Sequence, residues 1–379
     1  MRWIGHLDLD CFYVSVERIK HQELLGYPVA VGGSPTGRGV IASASYEARA
    51  FGVHSAMPAA HALRLCPNLI LVRSHFEEYE EYSDKLYSRL LDLAPIVERA
   101  SIDEFYFDLT GCEALYQHNL AGFIKRLQKL VWSDLTLPCT VALASSKVLA
   151  KIAAGTVKPA GNICIEHFTE KEFLAALSID VIPGVGKKTS QLLRQRGFRI
   201  VQDLQNSTVE QLTEILGSNG NWIRTVALGH GSTHVETEHK RKSIGNERTF
   251  SKDISDWDAL EQKMFPLVEK ICSSARSRGW RAKTVRLKLR YSDFKTTTHE
   301  QSVAPTYDDP YVFHIAKRLL RDSYTKPLPV RLLGITLTNF VDEAEPELFP
   351  SNLKRDRMLT AVDKLRQRFG DDVIHIGQV

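Results

Sequence analysis

The chain has 379 residues, 43% hydrophobic and 25% charged, with 49 Lys and Arg against 45 Asp and Glu for a formal net charge of +4; at roughly 100 to 200 residues per domain this predicts two to four domains, each with its own core. No stretch approaches the roughly 18 apolar residues of a membrane span, and acidic Asp8 and Asp10 stand where a signal peptide carries its apolar region, so neither a membrane nor a secreted protein is expected. The 6 cysteines include no Cys-x-x-Cys pair, which excludes a zinc knuckle or disulfide framework and predicts reduced, mostly buried thiols in a cytosolic protein.

Residues 3–9 read as a short buried strand that runs straight into a helix over 11–25, with Phe12, Val16 and Ile19 at helical spacing and Gly26 as the stop. Two strands, 28–32 and 39–43, surround a Gly/Ser/Pro turn, and short helices end near Gly52 and before Pro67. Over 75–93, Phe76, Tyr79, Tyr82, Leu86, Leu90 and Leu93 form one helical stripe of core-packing type. Two apolar runs, 96–100 and 105–109, are separated by Ser101-Ile102-Asp103-Glu104, which predicts a hairpin with acids at its tip. A helix over 113–131, a strand over 140–144, a helix over 147–154 and a strand over 162–165 follow. This order predicts a mainly antiparallel sheet backed by helices, an α+β fold.

Residues 166–231 are helical with short loops, and 232–241 form a polar linker. From Lys242 on, alternation returns: Val285, Leu287, Leu289 and Tyr291 face one way, and Thr284, Arg286, Lys288 and Arg290 the other. Residues 240–290 hold 14 Lys and Arg against 6 Asp and Glu, a net of +8, so the remainder carries −4. A basic module joined to an acidic one points to a polyanion held by one part and a metal-dependent reaction in another.

Asp8 and Asp10, at i and i+2, leave on one face if their strand continues. Asp103 and Glu104 sit at the hairpin tip. Carboxylates gathered within about 4 Å repel by roughly 1 kcal/mol per pair even at the dielectric of water, so a cation must join them. Hard carboxylate oxygens with no His or Cys nearby select magnesium or manganese over zinc. Two such ions, roughly 3.5 to 4 Å apart, suit the attacking and leaving oxygens of a phosphoryl transfer.

Asp8-Leu9-Asp10-Cys11-Phe12-Tyr13, Tyr46-Glu47-Ala48-Arg49, Ser101-Ile102-Asp103-Glu104, Lys158-Pro159 and Lys242-Ser243-Ile244-Gly245 resemble, in order and spacing, the Y-family translesion DNA polymerases, closest to the bacterial DNA polymerase IV branch. The resemblance spans at least residues 4–340. It implies a right-hand polymerase with a ferredoxin-like palm (1–10 and 75–165), small fingers (11–74), a helical thumb (166–231), a linker (232–242), an α/β little finger (243–341) and a tail (342–379). By the same resemblance Asp8, Asp103 and Glu104 are catalytic, and with the Leu9 carbonyl they hold two Mg2+ ions, which Mn2+ can replace. Asp10 fits the motif without being assigned as a ligand.

The resemblance implies that Tyr13 is a steric gate against a 2′-hydroxyl, turning deoxy selection into a clash. Phe12, Ser43, Tyr46, Arg49 and Lys158 join Tyr13 in holding the nucleotide; Tyr46 and Arg49, three apart on a helix, share a face. Val40, Ala42 and Ala56 match positions that roof the nascent base pair, and their modest size implies a loose lid. Ile182-Pro183-Gly184-Val185-Gly186-Lys187 looks like a helix-hairpin-helix, in which Gly184 and Gly186 let backbone N–H groups approach a DNA phosphate and Lys187 adds charge. Lys242, Arg286, Lys288 and Arg290 extend the DNA surface. The glycines around 32–39 and 181–188 lack the Gly-Lys-Ser/Thr spacing of a P-loop.

Two segments depart from the family pattern. Val141-Ala142-Leu143-Ala144-Ser145-Ser146-Lys147 keeps only the lysine of Gly-x-Ser-x-Asn-Lys, and Glu345-Pro346-Glu347-Leu348-Phe349 resembles a sliding-clamp peptide with Glu345 in place of glutamine. Residues 354–369 predict a terminal helix. The expected partners are primer-template DNA, deoxynucleoside triphosphates and, through Leu348 and Phe349, a sliding clamp; the expected protein is a cytoplasmic, nucleoid-associated monomer. Rival readings are a non-catalytic DNA-bound adaptor and a nucleotidyl cyclase. Intact Asp8, Asp103 and Glu104 argue against the adaptor, and the basic terminal module argues against the cyclase.

Overall fold

The computed structural model describes residues 1–238, 241–324, 326–342, 353–370 and 373–374. The chain forms two compact units, Met1–His239 and Lys240–Val379. The first unit runs β1 (Ile4–Leu9), α1 (Phe12–Lys20), β2 (Val29–Gly32), β3 (Ile41–Ala44), α2 (Tyr46–Ala50), α3 (Ala59–Leu65), β4 (Ile70–Val72), α4 (Phe76–Leu91), β5 (Ile96–Arg99), β6 (Glu104–Asp108), α5 (Leu120–Leu135), β7 (Cys139–Ala144), α6 (Lys147–Thr156) and β8 (Asn162–Cys164). It continues through α7 (Glu170–Ala175), α8 (Lys187–Gln195), α9 (Val201–Asn206), α10 (Val209–Leu216) and α11 (Asn219–Ala227). The second unit contains β9 (Ser243–Ile254), α12 (Trp257–Arg276), β10 (Trp280–Tyr291), β11 (Thr296–Thr306), α13 (Asp309–Ser323), β12 (Val330–Asp342) and α14 (Leu353–Phe369).

In the first unit a five-stranded sheet has the order β5-β6-β1-β7-β8. Strand β1 is central and buried along its whole length, pairing antiparallel with β6 and with β7. Gly5 faces Phe107 in this register, and a Cβ there would lie 2.1 Å from the Phe107 ring. Only glycine lets that ring close over β1. Helices α4 and α5 supply Tyr79, Leu86, Leu90, Phe123, Ile124 and Leu127 to the core over the sheet. The stripe expected on α4 is therefore core, except that Phe76 is exposed.

Helix α5 begins at Leu120 rather than near 113, because the Asn119 side chain accepts a hydrogen bond from the Gly122 N–H at 2.7 Å and so caps a new start. A smaller three-stranded sheet, β3-β2-β4, includes β4 as a parallel partner of β2; only three residues long, β4 carries too short a pattern to read from sequence. Residues 232–238 are irregular yet attached: the Lys147 N–H donates to the Ser232 carbonyl at 3.0 Å, the Glu236 N–H donates to Glu98 at 2.8 Å, and Val235 packs with Ile4 and Tyr106. All 6 cysteines are free, and Cys11, Cys66, Cys139 and Cys272 are buried.

In the second unit the sheet order is β11-β10-β12-β9. Val285, Leu287, Leu289 and Tyr291 of β10 are fully buried and share a core with Leu260 and Val268 of α12 and Val312 and Leu320 of α13, so the expected alternation sends one face of β10 to the helices. Among the described residues no helix is long and apolar enough to cross a membrane. Glu345, Leu348 and Phe349 lie outside the described residues.

Candidate active site

Strand β1 ends at Leu9, whose N–H donates to the Asp103 carbonyl at 3.0 Å, while Asp8 stands opposite Glu104 in the β1–β6 register. Two acidic pairs far apart in sequence thus meet at one end of one sheet. Cys11 then takes left-handed backbone angles, φ 47° and ψ 41°, which are rare for a residue with a Cβ. The turn sends the chain directly into α1 and brings Phe12 and Tyr13 to the sheet end. Asp10 itself lies just past the end of β1.

The two carboxylates do different things, although Thr140, which bonds Asp10, stands opposite Asp8 in the β1–β7 register. Asp10 is 2% exposed and is consumed by the fold. It accepts hydrogen bonds from Tyr46 Oη at 3.1 Å, Thr140 Oγ1 at 2.9 Å and the Ala160 N–H at 2.8 Å. Asp8 pairs instead with Lys158 Nζ. Burial raises the Asp8 carboxyl above its ordinary range and nearby Glu104 pushes it the same way, against the pull of Lys158.

Asp103 is half-buried in the hairpin turn and accepts a hydrogen bond from Ser101 Oγ at 2.6 Å. Glu104 accepts from Lys151 Nζ at 2.6 Å, and His6 Nε2 lies 4.0 Å from it. His6 and Lys151 hold the Glu104 carboxyl well below the usual carboxylate range, at about 2, against the opposing effect of burial. His6 is 1% exposed, and neither of its ring nitrogens has a hydrogen-bond partner. One donor atom each from His6, Asp8 and Glu104 falls within 4.8 Å of the others. The carboxylate oxygens of Asp8 and Glu104 fit a hard divalent cation such as magnesium, whereas the His6 imidazole, contrary to the expectation of a site without His, is a donor such ions do not favour. His6 and Lys151 were missed by sequence reasoning; the available signals were the i, i+2 spacing of His6 and Asp8 on one strand and the i, i+4 spacing of Lys147 and Lys151 on one helix.

One cleft is lined by Asp8, Leu9, Phe12, Tyr13, Ala42, Ser43, Arg49, Asp103 and Lys158. The Phe12 ring itself is buried in the core. Tyr13 lies flat against Tyr79, with ring centroids 4.5 Å apart and planes 16° from parallel. Arg49 sits 4.8 Å above the Tyr46 ring and donates to the Ala44 carbonyl at 3.0 Å. Tyr46 spends its phenol on Asp10, and burial together with Asp10 keeps that phenol protonated. This bond ties α2 to the residue that follows β1. Val40 is exposed, and Ala56 has φ 66°.

The expected DNA-binding groups fall elsewhere. Gly184 has φ 96°, and Gly186 precedes α8 with no side-chain cap, so the first N–H groups of α8, beginning at Lys187, are left without a side-chain acceptor there. The element ahead of this turn is a single 3-10 turn, Ile179–Val181. In the second unit Lys242 is exposed, and three cations of β10 have neighbours. Arg286 pairs with Glu300 at 2.7 Å, Lys288 with Glu247 at 2.6 Å, and Arg290 donates to Thr296 Oγ1 at 2.9 Å. Lys288 reaches Glu247 across Gly334 of the intervening strand.

Comparison with known proteins identifies the family. Residues 7–155 match the impB/mucB/samB family, residues 241–348 its C-terminal domain, and residues 180–220 the "DNA polymerase-iota, thumb domain". The chain is 36% identical over 383 residues to DNA polymerase IV of Dehalococcoides mccartyi, covering 100% of this chain and 97% of the relative. It is 37% identical over 379 residues to DNA polymerase IV of Caulobacter vibrioides, covering 99% and 93%. Among solved structures, a Y-family DNA polymerase chimera matches with a TM-score of 0.80 and 26% identity, covering 90% of this chain and 99% of the chimera. With matches over both units and relatives spanning its whole length, the chain belongs to the impB/mucB/samB family, the Y-family DNA polymerases of the bacterial DNA polymerase IV type.

Proposed function

We propose that this chain adds deoxynucleotides to a primer 3′ end by two-metal phosphoryl transfer, with low fidelity and past damaged template bases. DNA-directed DNA polymerase activity comes with the family; the two-metal reading rests on one observation. A single cleft gathers acidic Asp8 and Asp103, cationic Arg49 and Lys158, and the aromatic Tyr13, which is the set a metal, a triphosphate and a sugar would require. Asp8, Asp103, Glu104 and the Leu9 carbonyl would hold magnesium, or manganese in its place, which when bound polarises the reacting phosphoryl group and favours ionisation of the primer hydroxyl. Arg49 and Lys158 would grip the triphosphate, beside Ser43. Tyr13 would pack beneath the sugar.

In this reading residues 1–10 and 75–165 are the palm, 11–74 the fingers, 166–231 the thumb, 232–242 the linker, 243–341 the little finger and 342–379 the tail. Gly184, Gly186 and Lys187 hold a DNA phosphate, and Lys242, Arg286, Lys288 and Arg290 follow the duplex backbone. The protein works as a monomer in the cytoplasm, at the nucleoid, with a sliding clamp as partner through Leu348 and Phe349. The deciding experiment is extension of a primed template with magnesium, on undamaged DNA and opposite an abasic site. Extension on the undamaged template and across the lesion is expected; no extension on either would overturn the polymerase reading, and a stop at the lesion would remove bypass.

The basic strand makes a separate prediction. Replacing Arg286, Lys288 and Arg290 together with Ala lowers the slope of log affinity against log salt by up to about 0.9 for each duplex phosphate that is no longer neutralised. Titrating labelled primer-template at several salt concentrations measures it. An unchanged slope means that the pairs with Glu300 and Glu247 make up a solvated face and no more.

A further inference from the structure

Glu17 is a carboxylate with 0% exposure on the core face of α1, where an apolar side chain would pack at lower cost. Its Oε1 accepts two hydrogen bonds, from Tyr79 Oη at 2.5 Å and from His75 Nδ1 at 2.8 Å, both at the start of α4. Its Oε2 is buried with no partner. Oε1 therefore accounts for its hydrogen bonding, and the group that Oε1 fixes most tightly is the Tyr79 phenol. Burial and Glu17 both raise the Tyr79 phenol well above its ordinary range, which keeps it the donor.

The Tyr79 ring is the surface on which Tyr13 lies, at 4.5 Å and 16°. Phe76 stands edge-on to both, 5.6 Å from Tyr13 and 5.8 Å from Tyr79. Tyr13 and Glu17 are one helical turn apart on α1 and share a face. Helix α1 thus carries the ring that borders the cleft and, four residues on, the anchor of the ring beneath it. Free to slide or tilt, Tyr79 would let Tyr13 sink away from the cleft, and a displacement of about 1 Å can change a reaction rate by about 10²-fold.

We propose that Glu17 is a positioning residue for sugar discrimination, setting the height of Tyr13 through the Tyr79 phenol. The proposal rests on the reading of Tyr13 as the group beneath the sugar. Its test is single-nucleotide addition on a primed template, read as the ratio of kcat/KM for a ribonucleotide to that for the matching deoxynucleotide. Glu17→Ala and Tyr79→Phe each raise the ratio about tenfold, and the double variant raises it no further, since both break one link. Glu17→Gln, whose amide oxygen still accepts both hydrogen bonds, stays within about threefold of the parent. Deoxynucleotide kcat is retained throughout, which a general loss of folding would not allow.

Tyr13→Ala is run beside these variants. If it raises the ratio while Glu17→Ala and Tyr79→Phe do not, the proposal fails and the gate stands. If Tyr13→Ala leaves the ratio unchanged, the gate reading fails and the proposal falls with it. Should Glu17→Ala not fold, Tyr79→Phe, which removes one oxygen and keeps the ring, decides the matter.

Discussion

Asp103→Ala lowers the rate of nucleotide addition by about 10³-fold or more, the scale expected when one group stabilising transition-state charge is removed, while primer-template affinity stays within about threefold. The separation follows from position. Asp103 lies in the β5–β6 turn, half-buried, and its carboxylate is bonded to neighbouring Ser101. The link that holds the turn to β1 runs from the Leu9 N–H to the Asp103 main-chain carbonyl, which alanine retains. Single-turnover extension gives the rate, and fluorescence anisotropy with labelled DNA gives the affinity. Addition within tenfold of the parent would remove Asp103 from the catalytic set, and a matching collapse of DNA affinity would make it a folding residue.

Tyr13→Ala raises the ribonucleotide-to-deoxynucleotide ratio of kcat/KM by about 10²-fold or more, because selection by steric exclusion disappears with the excluding ring. Deoxynucleotide addition persists, since the acids and cations of the cleft are untouched. Removing the stack on Tyr79 costs about 0.5 to 1.5 kcal/mol of stability beyond area burial, so thermal unfolding of the variant is measured beside its kinetics. A ratio within threefold of the parent, with folding intact, would leave Tyr13 as a core aromatic and no more.

The same physical distinction governs what could be read from the chain alone. Local patterns carried the elements whose chemistry repeats at short range. Alternation over 284–291 marked β10 and its buried face, the stripe from Tyr79 to Leu90 marked the core face of α4, and acids at two apolar strand ends pointed to a shared cation. These signals survive because the burial of one face imposes a period of two or 3.6 on the sequence itself.

Pairings across long separations emerged only in the folded chain. Asp10 shares the i, i+2 spacing of Asp8 and was left unassigned as a ligand; in the fold β1 stops at Leu9, Cys11 turns left-handed, and Asp10 receives the N–H of Ala160 from 150 residues away. Glu104 receives Lys151 from 47 residues away, and Glu17 receives Tyr79 from 62 residues away. Lys288 is drawn to Glu247 across Gly334, 41 residues off. Residue types and their local spacing were enough to mark the acids, the basic strand and most of the elements, while Tyr13 was marked by the family resemblance. Which carboxylate stays in the cleft and which is spent on the fold was settled by the folded chain, because the partner of a buried charge is set by the register of strands distant in sequence, and burial penalises whichever charge that register leaves unpaired.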